Sequence, residues 1–511
     1  MILHHEFIRT AKKHAVKYAI IDKTTEKNVT YGKALIAALI LAKKFSKYRE
    51  GFLGVMVPTS AGAMLTTLGV IMAGKVPVMI NYSTGAAENA EYAQNMCGFK
   101  TIIASRALVE KIRCRLVPGM IFIEDIMQQI TTADKLSAAL RSKLPADLII
   151  RALPKSDIDD NVVILFTSGS EKDPKGVQLT HRNIGANVND IVTTFHLSSD
   201  DAIMSILPLF HVFGYTTNFW LPLTLGMTAV THASPLDYKK IPGFMREEKV
   251  TMIAATPIFF GGYVREAQPG DFDSVRLMVA GADKCPDWLR DAYWQKHHIE
   301  LLEGYGTTET SPVVSVNTLE ANRPGSIGKT LPGVSVKIAD IATGKDLPPN
   351  TEGKIMVKGD LVMKGYFDDI EETTLRIKDG WYDTGDMGVI DDEGYLWHRG
   401  RLKRFIKVGG EMISLVRTET VLEGLLPEGI SCCVVEVPDS LKGARIVAAV
   451  TGKINEKEIV KQMSQKLPPL AMPKQFVIIP ELPKMGSGKM DFRSITEMVR
   501  KMLQKQPARK K

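Results

Sequence analysis

The sequence predicts an α/β protein: a large N-terminal domain of layered α/β sheets carrying a small β-barrel, followed by a small α+β C-terminal domain. Three observations lead there. The first is a series of apolar runs without alternation, each ending in a loop of small or polar residues. NVVILF leads into TSGS, DAIMSIL into PLFH, VTMIAA into TP, VRLMVA into GAD and IELLEG into YGTTE. Such runs suit strands buried on both faces of a parallel sheet. Stretches between them, such as 184–195 and 286–296, read as helices, and repeated alternation of the two means α/β. The second is a change of texture at about residue 325, where VSVKIAD, GKIMVKG and a DDEG turn at 391–394 read as short alternating strands. They predict a small antiparallel barrel or sheet over about 325–400. The third is a final run of strands near 431–437 and 445–451, a helix near 456–467 and a strand near 475–479. The expected domains are therefore 1–402 and 403–511, the second long enough to fold separately.

A chain of 511 residues exceeds what one core usually holds. With 45% hydrophobic and 24% charged residues it is neither disordered nor fibrous in composition. Five cysteines, with no CxxC and no zinc spacing, read as reduced thiols in a cytoplasmic protein. The first twenty residues lack the apolar core of a signal peptide. The stretch 203–236 has no Asp, Glu, Lys or Arg, yet it contains Pro208, Pro222, Pro235, His211 and His232. A helix in lipid would tolerate these badly, so the stretch reads as a buried strand, loop and helix. No transmembrane span is expected; peripheral association with the inner face of the membrane stays open. Residues 401–511 hold 21 Lys and Arg against 11 Asp and Glu, a net of +10, whereas the whole chain carries +8. A surface so basic can steer an acidic partner: a carrier protein, a nucleotide-tailed thiol, anionic lipid or nucleic acid. The terminal ARKK reads as a solvated tail.

In open α/β sheets ligands bind beyond the carboxyl ends of strands, and each polar loop above follows a strand. LFTSGSEKDPKGVQLTH, 165–181, offers backbone bends at Gly169 and Gly176, hydroxyls on Thr167, Ser168 and Ser170, and the charge of Lys175. It is no Walker A loop, because Lys175 is followed by Gly176 and Val177. Alone, such a loop is a turn more often than a phosphate site. EGYGTTET, 303–310, sets Gly304 and Gly306 beside Tyr305, so that a planar base can lie on the backbone. Thr307 and Thr308 can donate to phosphate, and Glu309 can hold Mg²⁺. In YDTGDMG, Asp386 can accept from two ribose hydroxyls; alone it reads as a turn carboxylate. GRLKRFIKVGGE, 400–411, puts Arg401 and Lys403 at a domain junction and adds Gly409 and Gly410. LPKMGSGKMDFR, 482–493, presents Lys489 on a loop.

Taken together and in order, TSGSEKDPKG, LPLFH, YGTTE, YDTGD, GRLKRFIK and GSGK resemble the adenylate-forming superfamily, which holds acyl-CoA synthetases, luciferases and the adenylation domains of peptide synthetases. INYSTG (80–85), TTADKL (131–136) and RFIKVGGEMISL (404–415) are similar to the acyl-[acyl carrier protein] synthetase branch, including the synthetase half of bifunctional acyltransferase/synthetases. Arg404 departs from the superfamily's usual GRxKDxIK, which has an aspartate there. The spacing of His196 and Asp201 imitates an acyltransferase HxxxxD pair, but no separate acyltransferase domain fits in the chain.

The resemblance implies that ATP and Mg²⁺ activate a fatty acid as its acyl adenylate, which then passes to the phosphopantetheine thiol of holo-acyl carrier protein, releasing AMP and pyrophosphate. It implies roles for Thr167, Ser168, Gly169, Ser170 and Lys175 over the phosphates. Glu309, with Thr167, holds Mg²⁺, and Thr308 meets the α-phosphate. Gly281, Ala282 and the 303–306 backbone, with Gly304, Tyr305 and Gly306, frame the adenine, and Thr307 also binds the nucleotide. Asp386, with Arg401, holds the ribose, and Lys489 bridges the reacting oxygens. His211, Phe213 and Gly214 fall near the acyl substrate. The last domain is mobile, with its hinge at Lys403 and Arg404 and a thiol channel at Gly409 and Gly410. No nucleic acid partner is implied. A fatty acyl-CoA ligase is the near alternative. A peptide-synthetase domain would want an acid such as Asp237 or Asp283 in its pocket. A non-catalytic acyl- or nucleotide-binding homologue would not need Glu309 and Lys489.

Overall fold

The computed structural model describes residues 1–167, 174–408, 411–427, 429–439, 443–484 and 490–505. Two compact units are formed, one from Met1–Thr167, Pro174–Val336 and Val357–Tyr382, the other including Lys337–Met356 and Asp383–Lys511.

The first unit holds two sheets. One has nine strands, and the six at its centre are parallel: Leu301–Gly306, Leu277–Ala280, Met252–Ala255, Ala202–Ser205, Thr228–Thr231 and Tyr18–Asp22. The other has seven strands, with Asn161–Phe166 beside Val76–Met79 and the antiparallel Gly176–Thr180. All five apolar runs are strands of these sheets. Their lack of alternation has the expected cause: Ile203, Met204, Ile253, Leu302, Val163 and Ile164 are all fully buried. The polar loops that follow are thereby set at the carboxyl ends of parallel strands.

The expected helices form as Ile184's helix, His181–Phe195, and as Asp287–His297. The first starts where it does because Thr180 and Asn183 close a reciprocal capping box. The uncharged stretch 203–236 resolves into strand Ala202–Ser205, a π-helical turn Gly214–Trp220, helix Leu221–Leu225 and strand Thr228–Thr231. Among the described residues no helix is long and apolar enough to cross a membrane.

In the second unit, Asp386–Ile390 of strand Trp381–Ile390 pairs antiparallel with strand Leu396–Arg401 around the DDEG turn, with Gly394 at φ 83°. Farther on, Cys432–Asp439 pairs antiparallel with Gly443–Val450, which pairs parallel with Gln475–Ile478. Cys432 and Val434 face one apolar core, whereas Cys433, Val435 and Val437 face another. This is the two-residue period of a strand covered on both sides. Helix Glu456–Met463 ends short of the expected 467, ahead of Pro468 and Pro469, which disfavour helical backbone before them.

Candidate active site

The candidate site of the first unit is built around the end of strand Asn161–Phe166. Thr167 closes the base of its loop twice: its N–H donates to the Lys175 carbonyl at 3.0 Å, and its hydroxyl accepts from the Lys175 N–H at 3.1 Å. Ser168, Gly169 and Ser170 lie outside the described residues. Lys175 Nζ sits 4.9 Å from the centre of the Tyr366 ring and 2.5 Å from a Glu372 oxygen. The lysine bond holds the Glu372 carboxyl below its usual range, and Arg376, 3.0 Å away, adds to that.

The Tyr366 hydroxyl donates to Glu309 Oε1 at 2.9 Å. One aromatic side chain thus joins the lysine of the phosphate-loop candidate to the carboxylate of the magnesium candidate. Burial drives the Tyr366 phenol far above its ordinary pKa, and the neighbouring Glu309 charge adds to it. Tyr382, hydrogen-bonded to Tyr366, is raised for the same reasons. Both phenols are neutral donors near neutral pH. A neutral donor orients a carboxylate without cancelling its charge, so the arrangement suits a hard cation held by oxygen. Glu309 is further placed by its carbonyl, which accepts from the Met363 N–H at 2.8 Å.

Thr307 and Thr310 lock the turn before and after Thr308 and Glu309. The Thr307 N–H donates to Thr310 Oγ1 at 3.0 Å, and Thr310 Oγ1 donates to the Pro312 carbonyl at 2.7 Å. Gly306 is required here: a Cβ would lie 1.9 Å from the Pro312 oxygen. Gly281 follows strand Leu277–Ala280, and Ala282 beside it has φ 69°. A Cβ on Gly281 would meet the Phe213 ring at 3.3 Å and the Gly304 carbonyl at 3.6 Å. The adenine candidates Gly281 and Gly304 and the acyl candidate Phe213 therefore share one neighbourhood, while Tyr305 lies between Gly304 and Gly306 on the same strand.

His211 Nδ1 accepts the Phe213 N–H at 3.3 Å, which puts the proton of the neutral ring on Nε2. Gly214 opens the π-helical turn, and a Cβ there would lie 2.4 Å from the Pro208 oxygen. Tyr215, Phe219 and Trp220 of the same segment are fully buried core residues. Asp237, the acid considered for an amino group, is taken by His232 at 2.7 Å. Asp201 of the HxxxxD coincidence is buried against Arg276, with bonds of 2.9 and 2.8 Å, and caps the Ser198 N–H.

In the second unit Asp386 and Arg401 face each other across the paired strands, with Arg401 Nε 3.2 Å from Asp386 Oδ1. The Asp386 side chain is buried, and its own N–H donates to Thr384 Oγ1 at 3.0 Å. Lys403 and Arg404 lie in a short helical turn, Leu402–Arg404. Arg404 donates to Glu419 at 2.8 Å and to the Val434 carbonyl at 2.7 Å, and stacks 4.0 Å over the Phe492 ring. Gly409, Gly410 and Lys489 lie outside the described residues. Sequence reasoning did not single out Tyr366, Tyr382 or Glu372. Its only signal for the first was KGYF, an aromatic after a glycine at 364–367.

This fold and these motifs are those of an AMP-binding enzyme, and the chain belongs to that family: its model matches residues 7–367, and the model of the AMP-binding enzyme C-terminal domain matches 424–489. The chain is 34% identical over 358 residues to a long-chain-fatty-acid–CoA ligase of Bacillus subtilis, a match covering 68% of this chain and 63% of that protein, less than two thirds of its length. It is 28% identical over 495 residues to the long-chain-fatty-acid–CoA ligase FadD13 of Mycobacterium tuberculosis, covering 92% and 93%. Among solved structures, ATP-bound MatB from Rhodopseudomonas palustris shares the fold, with a TM-score of 0.84 and 24% identity over 98% of this chain and 99% of that one.

Proposed function

We propose that this protein is an AMP-forming acid–thiol ligase that activates a fatty acid with ATP and transfers the acyl group to a phosphopantetheine thiol. The observation that carries the reading is the Lys175–Tyr366–Glu309 cluster beside Thr167. A carboxylate is a poor acyl donor because oxide would have to leave. In the first step a carboxylate oxygen of the acid attacks the α-phosphorus of ATP and pyrophosphate departs. Both reactants are anions, so preorganised donors and cations carry the catalysis. Lys175 and the hydroxyls of Thr167, Ser168 and Ser170 neutralise the β- and γ-phosphates, with Gly169 allowing backbone approach. Thr308 donates at the α-phosphate. Gly281, Ala282, Gly304, Tyr305 and Gly306 receive the adenine, Thr307 donates to the nucleotide's phosphates, and Asp386 and Arg401 receive the ribose. Glu309, oriented by Tyr366 and aided by Thr167, would hold Mg²⁺, which supplies charge neutralisation at the departing phosphates. Lys489 supplies positive charge where the carboxylate meets phosphate. In the second step the thiolate sulfur attacks the acyl carbon and AMP leaves. Lys403 and Arg404 at the domain junction, with Gly409 and Gly410 beyond, serve this step, and His211, Phe213 and Gly214 border the acyl chain. Domains 1–402 and 403–511 divide this work.

Holo-acyl carrier protein is the acceptor we favour. The +10 balance of residues 401–511 and the RFIKVGGEMISL segment support it. The second reading is coenzyme A, supported by the fatty acyl–CoA ligase names of both relatives. Incubation with ATP, Mg²⁺ and a panel of carboxylic acids, with either holo-carrier protein or coenzyme A, tests both. AMP release with thioester on the carrier alone fits the first reading, and thioester on coenzyme A alone fits the second. No AMP with any acid overturns the ligase assignment in favour of a binding protein. The enzyme would act in the cytoplasm.

A further inference from the structure

Helix Thr132–Lys143 packs inward through Asp134 and Ala138, both buried. Asp134 is fixed there by Lys43 and Lys44, 3.1 and 2.8 Å away. The opposite side carries Leu136 and Leu140, one turn apart, 61% and 60% exposed. Beyond the helix end, where the backbone is extended at Leu144, Leu144 is 42% exposed, and Leu148 on the next helix, Ala146–Arg151, is 47% exposed. Four leucines thus stand in solvent along two consecutive short helices and the joint between them. Isolated exposed leucines are ordinary, but four so close in the chain mark an interaction surface. Around it Lys135, Lys143, Arg151 and Lys155 are exposed. Lys12, from helix Leu3–Lys13, reaches the Ser142 carbonyl at 2.8 Å. Residues 131–155 hold five basic and two acidic side chains. One of those acids, Asp134, is buried, and the other, Asp147, has Arg9 at 3.8 Å.

We infer that these exposed leucines with their basic rim are a docking surface for an anionic lipid bilayer. Aliphatic side chains at the acyl boundary with Lys and Arg at headgroup level are the chemistry of an interfacial helix, and anionic lipid adds attraction for each cation. A second copy of the chain would set the same basic rim against itself. A protein partner would more often be met by aromatic or arginine anchors than by leucines. The surface rests on the proposed function only in its purpose: a fatty acid is concentrated in membrane, and docking places the enzyme at its source.

The test is co-sedimentation of the full chain with vesicles of phosphatidylcholine alone or with phosphatidylglycerol in equal parts, together with the size of the protein in solution. The wild-type protein binds the mixed vesicles and, at higher salt, binds them less. Leu140→Glu with Leu144→Glu lowers that binding about tenfold or more, as does Lys135→Glu with Lys143→Glu, and AMP formation from a short, water-soluble acid is unchanged. Failure of the wild type to bind, or equal binding by wild type and variants, overturns the inference. So does a wild-type dimer that the leucine variants split, which would assign the leucines to a second copy. Loss of adenylation with every acid while vesicle binding persists would instead overturn the proposed function alone.

Discussion

Replacing Tyr366 with Phe keeps the ring beneath Lys175 and deletes only the hydroxyl that donates to Glu309 at 2.9 Å. A hydrogen bond to a charged group contributes about 1.5–3 kcal/mol. The expected result is a fall on the order of tenfold to a hundredfold in acid-dependent pyrophosphate release, with the melting temperature nearly unchanged. Equal rates for Tyr366→Phe and wild type would remove the phenol from the site. Lys175 and Glu309 were legible in the sequence because glycines and hydroxyls surround them. Tyr366 was not, because its partner Glu309 is 57 residues away in the chain and a tyrosine after a glycine reads equally as core. Glu372 escaped for a similar reason: in IEETTLR it looks like any acid in the first turn of a surface helix.

At the scale of elements, the helices Leu3–Lys13 and His181–Phe195 meet through histidines. His181 Nδ1 accepts the Leu3 N–H at 3.3 Å, and its ring lies 5.2 Å from that of His4. Burial, aided by neighbouring positive charge, lowers His4 to about 2 and His181 to about 4 from the ordinary 6.5. Both are neutral when folded, whereas the unfolded chain protonates them below pH 6.5. Their stabilising contribution is whole above that pH and shrinks as pH falls, through about 4 for His181 and on toward 2 for His4. Each group costs about 1.4 kcal/mol per pH unit inside its window. Urea midpoints should drop between pH 7 and pH 5, and His4→Leu should flatten that slope; an unchanged slope would place the acid sensitivity elsewhere. The Arg404 turn carries a second prediction. Its guanidinium holds Glu419, whose carboxyl burial pushes upward, so Arg404→Asp sets two carboxylates together. Breaking such a pair costs about 3–5 kcal/mol. Proteolysis should then attack the C-terminal residues first, and a protease pattern like the wild type's would contradict the pairing. Strands and helices were largely legible, since burial on both faces leaves unbroken apolar runs. The π-helical turn was not: what sets Gly214–Trp220 is tertiary, with Thr216 donating to the Ser311 carbonyl at 2.7 Å and Asn218 accepting from Leu207 at 2.9 Å.

For the molecule as a whole, the two cores of the C-terminal region draw every fully buried member from Ile406 to Val499. The second compact unit takes in Lys337–Met356 and Asp383–Lys511, and we propose that within it 403–511 is the part that folds alone. Residues 403–511, produced alone, should unfold in one cooperative transition with dispersed amide resonances; a collapsed, undispersed spectrum would mean that the boundary lies elsewhere. The final run of strands after Gly400 suggested this part of the chain, whereas the exposed leucines at 136–148 were hidden, because exposure belongs to the packed structure and not to composition.

The shared ring of Tyr366 has an evolutionary corollary. Lysine on its face and glutamate at its hydroxyl tie three positions into a single inherited block, so that drift at 175, 309 or 366 is penalised unless the others change with it. Libraries selected for new acids should therefore leave that trio untouched and accumulate their diversity around Phe213, whose ring lies against Gly281.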